Sequence, residues 1–94
     1  SNMLPEWLTT MTHLKILQIV NCPRLLNLPS DMHRLTSLED LTIDDCPELC
    51  QKCQPQSGEY WSFISHIRCL SIGETKEGKL LSQMEKHIRL RLQG

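Results

Sequence analysis

The chain has 94 residues, of which 39% are hydrophobic and only 4% aromatic, and its formal net charge is −1. This length provides for one small domain with a thin, mainly aliphatic core. The near-neutral charge excludes a general electrostatic affinity for nucleic acid or anionic membranes, and no apolar run reaches the roughly 18 residues of a membrane span.

The chain contains an internal repeat with a period of 24 residues. Residues 1–3 are set aside as a tag remnant or linker, and residues 4–27 then align with residues 28–51 without a gap. Nine aligned pairs are identical: Leu4/Leu28, Pro5/Pro29, Thr12/Thr36, Leu14/Leu38, Leu17/Leu41, Ile19/Ile43, Cys22/Cys46, Pro23/Pro47 and Leu25/Leu49. Each segment contains L-x-x-L-x-I-x-x-C-x-x-L, which is the signature of a leucine-rich repeat. The repeat therefore predicts an α/β fold, a fragment of a leucine-rich-repeat solenoid with units 1 and 2 at 4–27 and 28–51.

Each unit is predicted to contribute one short strand to a parallel sheet on the concave face of the solenoid. Aliphatic residues alternate with other residues in these segments, as expected when every second side chain points into a core. The core-facing positions are Leu17, Ile19, Leu41 and Ile43. The convex side is predicted to be irregular, with 3-10 or short helical turns. The small, apolar Cys22 and Cys46 are predicted to be structural residues beneath the turns.

A third unit is predicted over residues 52–73. Three apolar positions recur at three-residue spacing on the convex side: Leu8, Met11 and Leu14 in unit 1, Met32, Leu35 and Leu38 in unit 2, and Trp61, Ile64 and Ile67 in unit 3. Two aliphatic strand positions follow, so a third strand is predicted over residues 67–72. Leu41 and Leu70 are 29 residues apart instead of 24, and the five additional residues are assigned to a polar insertion at 51–58.

Residues 74–94 are assigned to a C-terminal cap. Apolar residues recur at helical spacing from Leu80 onward, which predicts a helix over about residues 76–86. Apolar and polar residues then alternate, which predicts a final strand over about residues 88–92. A longer helix that runs to Arg91 is the alternative. The cap is expected to close the last layer of the stack.

Residues 46–72 carry a second pattern, in which a Cys-Pro is followed by a Cys, a Gly-Glu-x-Trp and an Ile-x-His-Ile. These positions are Cys46, Pro47, Cys53, Gly58, Glu59, Trp61, Ile64, His66 and Ile67. With them the chain resembles the C-terminal end of the leucine-rich-repeat domain of plant NB-ARC (NLR) disease-resistance proteins, and the resemblance covers about residues 3–72. The chain departs from the family at Arg68, where the family usually has Pro, and at Cys50 and Cys69, which lie outside the family pattern.

The resemblance implies that this chain is one part of an intracellular plant immune receptor. The nucleotide-binding and signalling domains would lie upstream, so we expect neither ATP or ADP nor any other cofactor to bind these residues. An odd number of cysteines, five, and the lack of a secretion signal also favour a reducing, cytoplasmic location. The implied function is protein recognition, either of a pathogen effector or of another domain of the same receptor, which would make the contact autoinhibitory.

Protein binding is predicted on the concave face, because every strand points its non-core side chains there. The predicted binding residues are Lys15, Ile16, Gln18, Glu39, Asp40, Thr42, Asp44, Asp45, Arg68 and Ser71. Val20 and Cys69 are also predicted to point outward. The acidic residues of the second strand are expected to meet a basic patch on the partner. In the alternative interpretation, Lys15, Glu39 and Arg68 neutralise one another across neighbouring strands.

The alternative function is a small zinc-stabilised interaction module. Cys50-x2-Cys53 and His66-x2-Cys69 are separated by twelve residues, a spacing typical of zinc ligands. An enzymatic function is not expected, because the histidines are scattered and no Ser or Cys lies in a recognised nucleophile motif.

Self-association is expected at unit 1. No repeat precedes Leu4, Leu14 and Leu17 in this sequence, so their side of the stack would lack a polar cap. The predicted partners are therefore proteins, further copies of the chain among them, and neither nucleic acid nor a membrane.

Overall fold

The computed structural model describes residues 2–75, 77–78, 80–81 and 83–84. The elements are, in chain order, a first 3-10 helix (Glu6–Thr10), β1 (Ile16–Val20), a second 3-10 helix (Met32–Arg34), β2 (Asp40–Asp44), α1 (Pro47–Lys52), α2 (Trp61–Ile64) and β3 (Cys69–Ile72). The strands form a parallel sheet in which β2 is central. The predicted α/β class and the three predicted parallel strands are therefore confirmed.

The strand register places equivalent residues of successive segments side by side. Leu17 is paired with Leu41, and Leu41 with Leu70. All three side chains lie on the face that packs on the core, as the alternation predicts. β3 begins at Cys69, two residues later than predicted, because the amide of Ile67 is used to close the turn after α2.

The segments that lead into β1 and β2 have the same backbone hydrogen bonding. Three amide-to-carbonyl bonds of 3.0 to 3.3 Å close the turns in each segment: Leu8 to Pro5, Met11 to Leu8 and Leu14 to Met11 in the first, and Met32 to Pro29, Leu35 to Met32 and Leu38 to Leu35 in the second. Both strands are followed by a residue in the left-handed region, Asn21 (φ 57°) and Asp45 (φ 53°). Asn and Asp tolerate this conformation better than most residues. The predicted 3-10 turns are confirmed in these two segments.

Burial increases from the first segment to the second. Leu41 is fully buried, whereas its equivalent Leu17 is only partly buried. Met11 is 42% exposed, although its equivalent Leu35 is 4% exposed. Within the described ranges, no further layer packs on the β1 side of the sheet, so the first segment is covered less than the second.

The polar insertion predicted at 51–58 begins within a helix. Pro47 lies in the first turn of α1, where its missing N–H is not needed for helical hydrogen bonding. Cys53, within the predicted insertion, and Cys50, just before it, are both 0% exposed, so the start of this segment belongs to the core. The polar composition of the insertion gave no indication that Cys53 is buried.

The polar turn after α1 is fixed by contacts with an earlier segment and by a glycine. Asn27 Oδ1 accepts hydrogen bonds from Lys52 Nζ (2.8 Å) and from the Tyr60 hydroxyl (3.1 Å). A Cβ on Gly58 would overlap the backbone oxygen of Lys52 and lie 2.6 Å from the backbone nitrogen of Gln54. Only glycine therefore fits where the turn folds back on α1.

The described residues 77–78, 80–81 and 83–84 are helical, in agreement with the helix predicted over about residues 76–86. Leu80, Leu81 and Met84 are more than half exposed, so these side chains do not form the closing layer expected of a cap. The final strand predicted at 88–92 and the alternative helix to Arg91 lie outside the described residues.

Candidate protein-binding surface

One face of the sheet is open to solvent along all three strands. Its residues alternate with the core-facing positions, and we call them the exposed sheet face: Ile16, Gln18, Val20, Asp40, Thr42, Asp44, Cys69, Ser71 and Gly73. The register arranges them in rows across the strands: Ile16, Asp40 and Cys69; Gln18, Thr42 and Ser71; Val20 and Asp44, with Gly73 beside them. Because backbone hydrogen bonds fix this register, the relative positions of the side chains are set before any partner binds.

The exposed sheet face differs in chemistry from strand to strand. β2 carries Asp40 and Asp44, which are about 13 Å apart along the strand with Thr42 between them. We call these two carboxylates the acidic stripe. On β1, Ile16 is 60% exposed and Val20 is 41% exposed. An apolar strip thus borders the acidic stripe, a combination that suits a partner with both basic and apolar side chains.

Gly73 is a member of the exposed sheet face that sequence reasoning missed. Its amide donates to the carbonyl of Ile43 (2.7 Å), which continues the ladder one residue beyond β3. A Cβ at this position would lie 2.5 Å from Asp44 Oδ1, so the glycine leaves room for the carboxylate. The two-residue spacing from Ser71 was the signal that could have identified it.

Four of the ten predicted binding residues lie at the ends of the strands. Lys15, Glu39 and Arg68 immediately precede β1, β2 and β3, and Asp45 immediately follows β2. All four are exposed. The other six lie on the exposed sheet face: Ile16, Gln18, Asp40, Thr42, Asp44 and Ser71. The structure therefore brings six of the ten predicted residues together on one face of the sheet and places the other four at the strand ends.

The lateral ion pairs considered for Lys15, Glu39 and Arg68 do not form. Among the residues that the structure describes, none of these three side chains pairs with another, whereas an ion pair of 3.9 Å joins Lys52 to Glu59 at the polar turn. Long side chains at exposed positions gain little from pairing and lose rotamer freedom by it. The acidic stripe likewise has no described cation within ion-pair distance.

The four residues of the zinc alternative are divided between the core and the surface. Cys50 and Cys53 are fully buried, whereas His66 and Cys69 are exposed. Burial raises the pKa of the Cys53 thiol from 9.0 to about 12, which disfavours the thiolate that zinc requires. Among the residues that are described, no three His, Cys, Asp or Glu side chains are close enough together to hold a metal ion. The spacing in the sequence does not correspond to a cluster in space.

Cys46 is a structural residue, as predicted. It is 0% exposed, and its Sγ donates to the carbonyls of Asp44 (3.2 Å) and Ile19 (3.7 Å), which links the ends of two neighbouring strands. Burial also raises the pKa of the Cys46 thiol above its ordinary value. Cys22, at the equivalent position, is partly buried and donates to the Val20 carbonyl (3.4 Å).

No protein-family model matches the chain, and neither a curated protein nor a solved structure matches it at a significant level. No helix among residues 2–75 and the described residues up to 84 combines the length and apolar character that a bilayer-spanning helix needs. The exposed sheet face is therefore the feature from which we infer function.

Proposed function

We propose that the chain is a segment of a leucine-rich-repeat solenoid that binds a protein partner through the exposed sheet face. The partner surface it fits is basic and also carries apolar side chains. Lysines or arginines of the partner would pair with the acidic stripe, and apolar groups would remove water from Ile16 and Val20. The proposed role is binding without catalysis.

The alignment of the repeat with the sheet is the observation that carries this proposal. Leu17, Leu41 and Leu70 are neighbours in adjacent parallel strands, and the first two segments share their backbone hydrogen bonds at a spacing of 24 residues. Units that stack in this way bury a continuous core and leave every second strand residue free for recognition. These properties support a solenoid with one recognition face.

The resemblance to plant NB-ARC disease-resistance proteins supports a role in an intracellular immune receptor. In that setting the partner is a pathogen effector or another domain of the receptor, and the location is the cytoplasm. All five cysteines are free thiols, which fits a reducing compartment. Either partner would be recognised through the same basic and apolar chemistry.

Selection of peptides from a random display library on the native chain tests the proposal. We expect the selected peptides to combine Lys or Arg with aliphatic or aromatic residues. Synthetic versions are then titrated by calorimetry against the native chain and against Asp40→Lys/Asp44→Lys. The double reversal replaces two attractions by two repulsions, so we expect an affinity loss of about tenfold or more, equivalent to about 1.4 kcal/mol.

The matched control is Glu6→Lys/Glu77→Lys, which makes the same change in net charge at exposed positions that are not members of the exposed sheet face. It should bind the peptides as the native chain does, and the far-UV circular dichroism of both variants should be native. Equal binding by the stripe variant and the native chain would show that the partner site lies elsewhere.

A further inference from the structure

β1 is an open edge of the sheet among the described residues. The amide of Asn21 donates to the carbonyl of Asp44 (3.0 Å), and the carbonyl of Lys15 accepts from the amide of Asp40 (3.0 Å). In a parallel ladder, successive residues of a strand bond alternately to one side and the other. The odd-numbered residues of this segment therefore bond to β2, and the even-numbered ones direct N–H and C=O groups away from it. We call these the edge residues: Ile16, Gln18 and Val20.

β1 lacks the features that usually protect an edge strand. Its sequence, Ile-Leu-Gln-Ile-Val, contains no charge, no proline and no glycine. Leu17 is only partly buried on the core side, and Ile16 is 60% exposed on the other. The Val20 carbonyl accepts one weak bond from Cys22 Sγ (3.4 Å) and keeps a second lone pair. As far as the described residues are concerned, the strand can therefore accept another strand without displacing a strong contact.

We infer that two copies of the chain pair through β1 in antiparallel orientation, with Gln18 of each copy at the two-fold axis. In this register Gln18 lies opposite Gln18 of the second copy, Ile16 lies opposite Val20, and Leu17 lies opposite Ile19. All three edge residues of each copy then form hydrogen-bonded pairs. The two Gln18 side-chain amides then lie opposite each other at the axis, and the aliphatic residues on either side of Gln18 form cross-strand pairs on both faces of the sheet. β1 is thus complementary to itself.

Charge favours this pairing over head-to-tail stacking of copies. In the antiparallel register Lys15 of one copy lies opposite Asn21 of the second copy, two strand spacings (about 10 Å) from the end of β2 that carries Asp44 and Asp45, so charges of opposite sign face each other across the pair. Stacking β1 in parallel on β3 of another copy would place Lys15 next to Arg68, because both immediately precede their strands. Like charges one strand spacing apart, about 4.8 Å, are destabilising. A closed dimer is therefore favoured over an open chain of copies.

The dimer leaves the exposed sheet face free. Pairing through β1 joins the two sheets edge to edge, and the two acidic stripes lie three strand spacings apart, about 14 Å. This distance exceeds the Debye length of about 8 Å at physiological ionic strength, so their repulsion is weak. The two proposals share Ile16, Gln18 and Val20, but each is tested at residues of its own: Gln18 for the dimer, and Asp40 and Asp44 of β2 for partner binding.

Sedimentation velocity over a wide concentration range tests the dimer. The native chain should show a reversible monomer–dimer equilibrium and no larger species. Gln18→Lys and Gln18→Glu each place like charges face to face at the axis, so each should weaken the dimer by about fivefold or more. A mixture of the two variants should restore a dimer with one copy of each, because only a two-fold register places residue 18 opposite itself.

Ser71→Lys is the matched control, since Ser71 occupies the position of Gln18 on β3 and is exposed. It should dimerise like the native chain. Circular dichroism shows whether each variant is folded, and a folded Gln18→Lys that still dimerises natively would overturn the inference. A native chain that stays monomeric, or one that forms an open series of larger species, would overturn it as well.

Discussion

Leu17→Ala and Leu41→Ala make the same chemical change at paired positions of adjacent strands, yet they should destabilise the chain by different amounts. Leu41 is fully buried between two strands, whereas Leu17 is partly buried at the edge. At about 0.8 kcal/mol per buried carbon, Leu41→Ala loses about 2.4 kcal/mol of transfer free energy. The cavity it leaves brings the total to about 3 to 4 kcal/mol. For Leu17→Ala we expect about 1 to 2 kcal/mol, because part of the side chain is already hydrated and the site is open.

Urea unfolding followed by circular dichroism and tryptophan fluorescence measures these changes. A chain of this length has a free energy of unfolding of roughly 5 to 14 kcal/mol, so the larger loss should shift the midpoint strongly. The measurements are made in the Gln18→Lys background, so that β1 pairing does not cover Leu17. Leu26→Ala is the surface control; Leu26 is 45% exposed, and the change should be within about 0.5 kcal/mol of zero. A loss for Leu17→Ala as large as that for Leu41→Ala would refute the argument that β1 is an open edge.

Three further predictions follow from the buried Cys53 thiol and from the polar turn. Burial raises the pKa of the Cys53 thiol from 9.0 to about 12. The thiol therefore ionises at lower pH in the unfolded chain than in the folded one, and the free energy of unfolding should fall as the pH rises from 9 toward 12. Urea titrations at several pH values should show a weaker pH dependence of stability for Cys53→Ala. In the native chain at mildly alkaline pH, an alkylating reagent should label the exposed Cys69 well before the buried Cys53. Peptide mass spectrometry measures the labelling of each cysteine, and equal labelling would contradict the burial of Cys53. Gly58→Ala should lower the free energy of unfolding by about 1 to 3 kcal/mol, because the added Cβ meets backbone atoms. Gly78→Ala should change the thermal midpoint little, since the Cβ added there would lie 3.3 Å from the side-chain atom Thr75 Oγ1. Equal midpoints for the two glycine variants would mean that the turn can open without cost.

The sequence predicted the sheet well because the face to which each side chain of a strand points is fixed by local backbone geometry. Side chains on a strand alternate between two faces, so the spacing of Leu17 and Ile19 was enough to assign the core side of β1. The 24-residue period then predicted which residues would be neighbours in β2. Six of the ten predicted binding residues lie on the exposed sheet face for this reason.

Other features depended on contacts that sequence spacing does not specify. Whether Lys15, Glu39 and Arg68 would pair depended on side-chain conformations, and the structure leaves them unpaired. The zinc-like spacing of Cys50 and Cys53 gave no indication that both thiols lie in the core. A polar insertion was expected at 51–58, and the fold instead buries Cys53 within it and Cys50 immediately before it.

The sequence by itself determined the period, the order of the three strands and the face on which each strand residue lies, because these follow from local geometry repeated along the chain. Only the tertiary structure decided how deeply each position is buried. Leu17 and Leu41 occupy equivalent positions of the 24-residue sequence repeat. Leu41 nevertheless has a strand on either side, whereas Leu17 has a described strand on one side alone. Burial depends on the number of neighbouring layers, and that number is a property of the assembled sheet.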